Sequence, residues 1–144
     1  MAYWLFKSEP DDWSWDQQKA KGKAGEEWSG VRNYQARNNL RAMKVGDRGF
    51  FYHSGAGKEI VGIVEVSAPA HTDPTDKTGQ WVSVKLRAVR ELPSPVSIAD
   101  IKSNPRLKDM ALVRNSRLSV QPVNSAEWRI VCEMGGLDSS ASSS

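Results

Sequence analysis

Four short groups of residues carry the side chains best suited to holding another molecule. Lys7-Ser8 closes an apolar run, and Trp28 stands just ahead of a helix start. Tyr52-His53-Ser54 closes a second apolar run, and Arg114-Asn115-Ser116-Arg117 precedes a third. Each lies at the end of a regular element, where loops gather and sites are usually built. The chemistry they share is recognition of a nucleic acid, because flat aromatic faces stack on bases and Arg and Lys hold phosphate. Trp28, Tyr34 and Tyr52 are the aromatics this reading turns toward a ligand, while Trp4, Trp15 and Trp128 fall in core positions. Arg32, Arg37 and Arg41 lie at or beside the first half of the helix that follows Trp28. There the free N–H groups and the helix dipole also favour an anion, so these three arginines are expected on phosphate, with Arg114 and Arg117 beside the last strand. Trp28 is expected to be a stacking wall with Lys7, Ser8 and Asn33 around it, because Glu26-Glu27 and Ser29-Gly30 give it polar surroundings.

Catalytic arrangements find less support. Gly55-Ala56-Gly57-Lys58 resembles part of a phosphate loop, but that loop needs a Gly where Tyr52 stands and a Ser or Thr where Glu59 stands. A hairpin turn is the better reading. Ser54 follows His53 directly, and neighbours on a strand point to opposite faces, so the two do not form a nucleophile and its base. No spacing favours a pair of carboxylates in one pocket. With one cysteine, Cys132, and two histidines, His53 and His71, neither a disulfide nor a cysteine-based zinc site is expected, and no metal or cofactor is assigned.

Length points to one domain, over residues 1–137, with the Ser-rich stretch 138–144 read as a disordered tail. The net charge of +3 comes from 20 Lys and Arg against 17 Asp and Glu. Affinity for nucleic acid must therefore come from local clustering rather than bulk charge. No apolar run approaches a membrane span, and the N-terminus lacks the pattern of an export signal. The expectation is a soluble, intracellular protein, monomeric and without a membrane partner.

The elements that position these groups can be read in order. Ala2 to Lys7, with Tyr3, Trp4, Leu5 and Phe6, form a buried strand that Ser8-Glu9-Pro10 ends. Asp11 or Asp12 is read as the cap of a short helix reaching about Lys19. Asn33 caps a central helix from Tyr34 to Lys44, with Ala36, Leu40 and Met43 as its apolar seam. Strands follow at Arg48–Ser54, Glu59–Val66 and 80–92, the first placing Phe50 and Tyr52 on one face and Phe51 and His53 on the other. Ala68 to Thr78 is read as a loop, and Pro93 and Pro95 as breaks. Ser97 with Asp100 and Asn124 with Glu127 have the spacing of helix caps, the second opening a helix over Ser125–Met134. Leu118-Ser119-Val120 is a short closing strand ended by Pro122. Strands clustered in mid-chain between groups of short helices indicate an α+β fold, a small mixed β-barrel with flanking short helices.

Four of these segments in this order, Tyr3 to Pro10, Trp28 to Asn38, Phe50 to Ser54 and Arg117 to Pro122, resemble the EVE domain family, which includes the thymocyte nuclear proteins and bacterial counterparts. The resemblance covers nearly the whole chain. It implies a PUA-like fold, similar to that of the YTH readers of methylated adenosine in RNA. It also implies a non-catalytic module that reads a modified base, notably a modified cytosine in DNA, flipped into an aromatic pocket. Carried onto this sequence, that pocket takes Lys7, Ser8 and Glu9, then Trp28, Ser29, Asn33 and Tyr34. Tyr52, His53 and Ser54 follow, with Ser119 and Gln121 last. The chain lacks the long basic N-terminal extension of the eukaryotic nuclear members, so a bacterial cytoplasmic location is expected, nuclear if the source is eukaryotic. Two other readings of the same pocket are an enzyme acting on a nucleotide or modified base, and a docking surface for a protein.

Overall fold

A computed structural model of the chain describes residues 1–55 and 57–137; the Ser-rich stretch 138–144 lies outside them. The strands are β1 (Tyr3–Ser8), β2 (Glu26–Glu27), β3 (Arg48–His53), β4 (Glu59–Thr72), β5 (Val82–Ser97) and β6 (Val120–Val123). The α-helices are α1 (Trp15–Ala20), α2 (Tyr34–Ala42), α3 (Ile98–Ser103), α4 (Ala111–Arg114) and α5 (Ser125–Met134). All six strands join one sheet in the order β2-β5-β4-β3-β1-β6. The β1–β3 pair is parallel and the others antiparallel. The α+β class is as expected.

The expected barrel is a correction, because the sheet is not closed. Closure would require hydrogen bonds between β2 and β6, the two ends of the strand order. Helix α2 instead packs against both β5 and β6. Asn39 on α2 donates its amide to Val120 O at 2.7 Å, which occupies a carbonyl of β6. A helix thus covers an edge that another strand would otherwise have to pair.

Alternation along the strands sorts the core onto two faces. Leu5, Phe50, Tyr52 and Ile60 pack on one side with Trp128 of α5 and Ile101 of α3. Trp4, Phe6, Phe51, Val64 and Leu86 pack on the other with Trp15, Trp28 and Leu40. Trp4, Trp15 and Trp128 are buried, as read from sequence. The seam of α2 is also as read, with Ala36, Leu40 and Met43 all buried and Asn33 accepting from Ala36 N at 2.9 Å. That helix ends at Ala42, two residues early. Asn124 and Glu127 form a capping box for α5. Helix α1 is capped by Ser14, paired with Gln17, and not by Asp11 or Asp12.

Strands β4, β5 and β6 outrun their expected ends. Strand β5 passes through Pro93 and Pro95. Its register with β4 moves from Gly62↔Glu91 to Ile60↔Val96, so the extra β5 residues form a bulge. Both prolines are exposed there, where their missing N–H costs no ladder bond. Strand β4 continues to Thr72 with a register shift between Ala68 and His71, and Pro69 sits in that shift. Pro122 lies within β6, exposed, opposite Trp4.

Candidate functional site

Three chain ends meet beside α2. Lys7 N donates to Ser119 O at 2.9 Å, and Ser54 N donates to Ser8 O at 2.9 Å. These bonds tie the end of β1 to the segment before β6 and to the residue after β3. The segment from β2 to α2 closes the other side, since Trp28 N donates to Val84 O at 2.8 Å and so extends the pairing of β2 with β5. Between them lies a cavity of about 830 Å³, within the range of roughly 300–1,000 Å³ usual for small-molecule sites. Its wall is made of Lys7, Ser8, Glu9, Asp12, Trp13, Glu26 to Asn33, Ser54, Pro74 and Ser119.

Two indoles stand in this wall under different conditions. Trp28 is 8% exposed. It meets Phe6 and Phe51 edge-on, at ring distances of 5.5 and 5.7 Å. Its polar neighbours in sequence do not keep it in solvent, because the β5 pairing swings its ring onto the apolar face of the sheet. The expectation of a solvent-facing Trp28 is therefore corrected: it is a core residue that also borders the cavity. Trp13 is half-buried. Its Nε1–H donates to Gln18 Oε1 at 2.9 Å, and the Gln18 amide donates to Leu86 O at 2.9 Å, in full burial. A chain of two hydrogen bonds therefore fixes the plane of Trp13 against the sheet.

The turn into α2 is held by Asp73, whose side chain is fully buried. Asp73 Oδ2 accepts from Gly30 N at 2.8 Å and from the Arg32 guanidinium at 3.1 Å. Its Oδ1 accepts from the backbone and hydroxyl of Thr75. Gly30 has φ of +83°, a conformation other residues adopt with strain. Burial alone would raise the Asp73 pKa, but the bonds from Thr75, Gly30 and Arg32 outweigh it and hold the carboxyl below its ordinary value.

The cavity wall carries Lys7 and Arg32 against Glu9, Asp12, Glu26 and Glu27. An excess of carboxylates suits a neutral, donor-bearing group better than phosphate. Lys7 donates to Ser116 O and stands 5.8 Å from the Tyr52 ring. Burial pushes its pKa down from the ordinary value. Burial would raise Glu27, yet hydrogen bonds from Ser83 and His71 outweigh it and leave its pKa lowered. His71 has both ring nitrogens on acceptors, Nδ1 on Pro69 O at 2.7 Å and Nε2 on Glu27 Oε1. Its pKa is raised, first by the Pro69 carbonyl and then by Glu27.

Of the residues read from sequence, Lys7, Ser8, Glu9, Trp28, Ser29, Asn33, Ser54 and Ser119 border the cavity, and so does Arg32. The wall does not include Tyr34, Tyr52, His53 or Gln121. Tyr52 is buried in the core of the opposite sheet face, as strand alternation requires. His53 borders a separate cleft with Glu59 and Glu91. There its Nε2 accepts from Trp15 N at 3.0 Å, and burial lowers its pKa. Gln121 is fully buried and donates to Asn115 O and Leu118 O, holding the loop before β6. Tyr34 projects to solvent, 62% exposed. Arg37 packs on Tyr34 and Trp81 and donates to Gln80 O. Arg114 pairs with Asp109 at 3.2 Å. Arg41 and Arg117 are exposed. Trp13, Asp12, Pro74 and Asp73 are not among the site residues read from sequence. Pro10 followed by Trp13, in a loop directly after a strand, was the available signal for the first of these.

Residues 2–134 match the model of a family described as the EVE domain. Human thymocyte nuclear protein 1 is 34% identical over 165 residues, which cover 92% of this chain and 73% of its own length. A crystal structure of a protein from Agrobacterium tumefaciens is 58% identical, with a TM-score of 0.93 over 96% of each chain. The human THYN1 protein, solved in complex with DNA containing 5-methylcytosine, is 33% identical. Its TM-score is 0.87 over 94% of this chain and 98% of its own. The YTH domain of the Zygosaccharomyces rouxii MRB1 protein shares 18% identity at a TM-score of 0.59, a likeness of fold alone that agrees with the expected PUA-like class. By the family model and the human relative together, the chain belongs to the EVE domain family.

Proposed function

We propose that this chain is a non-catalytic nucleic-acid-binding module that receives a modified base, flipped out of a DNA strand, in the cavity beside Trp13. The observation that carries this reading is the cavity itself, with one indole half-exposed in its wall and its plane fixed through Gln18. Flipping costs a few kcal/mol, and stacking on an aromatic returns about 1–3 kcal/mol per base. Hydrogen bonds at the base edge supply the rest. Carboxylates outnumber cations in the wall, which favours a base with an exocyclic amine, such as cytosine, over one with a carbonyl at that position. A methyl mark adds roughly 0.8 kcal/mol of burial, so discrimination rests on the shape of the cavity.

The complex of the human THYN1 protein with 5-methylcytosine DNA supports the reading, since that relative matches this chain over nearly its full length. Titration of short DNA strands that differ only in the modification of one cytosine tests the proposal. A preference for one modified strand is expected. Equal binding to all of them would remove base reading, and turnover of the base would replace it with catalysis.

A further inference from the structure

Tyr34 is the only aromatic ring among the large exposed hydrophobic side chains of the described residues, at 62% exposure. It opens α2, directly after the capping Asn33. Its ring lies 5.1 Å from that of Trp81, with the planes 34° apart. The Arg37 guanidinium stands 4.8 Å from the Tyr34 ring and 5.4 Å from Trp81, and is anchored at 3.1 Å to Gln80 O. Arg32 stands 5.7 Å from the Trp81 ring and also borders the cavity. An unbroken path therefore leads from the cavity through Arg32 and Trp81 to Tyr34.

A ring left in water adds little to folding, yet this one is held on two sides. Its orientation is set before anything binds, which lowers the entropy cost of using it. The Arg37 guanidinium beside it supplies positive charge without forming an apolar patch. Aromatic rings flanked by arginines are what unpaired nucleotides need: a face for the base and a cation for its phosphate.

We infer that Tyr34, Trp81 and Arg37 form a second subsite, outside the cavity, on which the nucleotide next to the flipped base stacks while Arg37 holds its phosphate. The inference rests on the proposed reading of the cavity and extends it from one base to a step of the strand. Stacking of this kind is indifferent to sequence, because every base has a face. The subsite sets affinity, and the cavity sets selectivity for the mark.

The test compares the wild type with Tyr34→Ala and Tyr34→Phe. Each is titrated with a DNA 12-mer carrying one 5-methylcytosine and with its unmodified counterpart, at one salt concentration. Tyr34→Ala should weaken both complexes by the same factor, roughly 5- to 150-fold, and leave the ratio between them unchanged. Tyr34→Phe should bind like the wild type. If Tyr34→Ala binds both strands as tightly as the wild type, the ring cluster only braces α2 and the subsite is overturned. If it loses the modified strand alone, Tyr34 belongs to the reading cavity and the inference is again overturned. A wild type that binds both strands equally, with the loss in Tyr34→Ala still present, removes the reading of the mark and leaves the subsite standing. A wild type that binds neither strand overturns both.

Discussion

Arg32 donates to Asp73 at 3.1 Å, and it shares that carboxylate oxygen with the backbone N–H of Gly30. The arginine expected on phosphate is thus committed to shaping the turn that forms one side of the cavity. Asp73→Ala would take their shared acceptor from the Gly30 N–H, the Thr75 N–H and hydroxyl, and a guanidinium. Leaving one buried partner unsatisfied costs about 1–3 kcal/mol, and more when a charge is involved. Arg32 is 40% exposed and can turn to water, so the lower part of that range is expected. Urea unfolding should show a lower midpoint for Asp73→Ala at an unchanged m-value. Arg32→Ala should also lower the midpoint. A variant that changed only the salt dependence of DNA binding, by about one unit of slope, would instead place Arg32 on phosphate.

The two indoles of the cavity should separate in a paired experiment. Trp28→Ala removes a ring that touches Phe6 and Phe51 and is 8% exposed. It should cost about 3–5 kcal/mol of stability. Trp13→Ala removes a half-exposed ring and should cost less stability, but about 1–3 kcal/mol of base binding. Melting temperature and DNA titration, measured on both variants, check this. Equal loss of stability in the two would mean that Trp13 is as structural as Trp28.

What could be read along the chain was local. The Asn33 cap, the Ala36–Leu40–Met43 seam and the alternation of Phe50, Phe51 and Tyr52 depend on spacings of a few residues, and the structure keeps them. What escaped depends on pairing between distant segments. Asp73 meets Gly30 across 43 residues, and Trp81 reaches Tyr34 only because β5 runs back beneath α2. Tyr52 shows the limit in one residue. It lies at the strand end expected for it, but nothing near it in sequence encodes which side of the sheet holds the cavity. Closure of the sheet failed for a similar reason, since nothing in the β6 segment announces that Asn39 will occupy its edge.

The pair His71–Glu27 gives a pH dependence with a defined sign. His71 has a raised pKa in the fold, so its contribution is complete below the unfolded value of 6.5 and fades as pH rises through the folded value. Glu27 has a lowered pKa, so its contribution is present above the unfolded 4.5 and lost as pH falls through the folded value. Both conditions hold between pH 4.5 and 6.5. Ser83 and Lys85 of β5 also face the pair. Because the His71 side chain is 41% exposed, screening limits the effect to below about 1 kcal/mol. The difference in melting temperature between wild type and His71→Gln should be widest in that window and shrink as pH rises through the raised value of His71. A constant difference across the range would show that the histidine acts through packing alone.

Gly62 couples the core to the cavity wall. A Cβ at this position would meet the ring carbons of Trp15 well inside contact distance. Trp15 opens α1, tied by its backbone to His53 and by its indole to Glu91 at 3.0 Å. It therefore has little room to retreat. The same helix bears Gln18, the residue that fixes Trp13. Gly62→Ala should therefore cost about 1–3 kcal/mol through overpacking, and part of the strain should be relieved by moving α1. Movement of α1 displaces Gln18 and tilts Trp13, so DNA affinity should fall although no residue of the cavity has changed. Denaturant midpoint and DNA titration on the same protein sample measure both effects. An unchanged midpoint would show that Trp15 yields freely. A lower midpoint with wild-type DNA binding would show that Trp13 is positioned independently of α1.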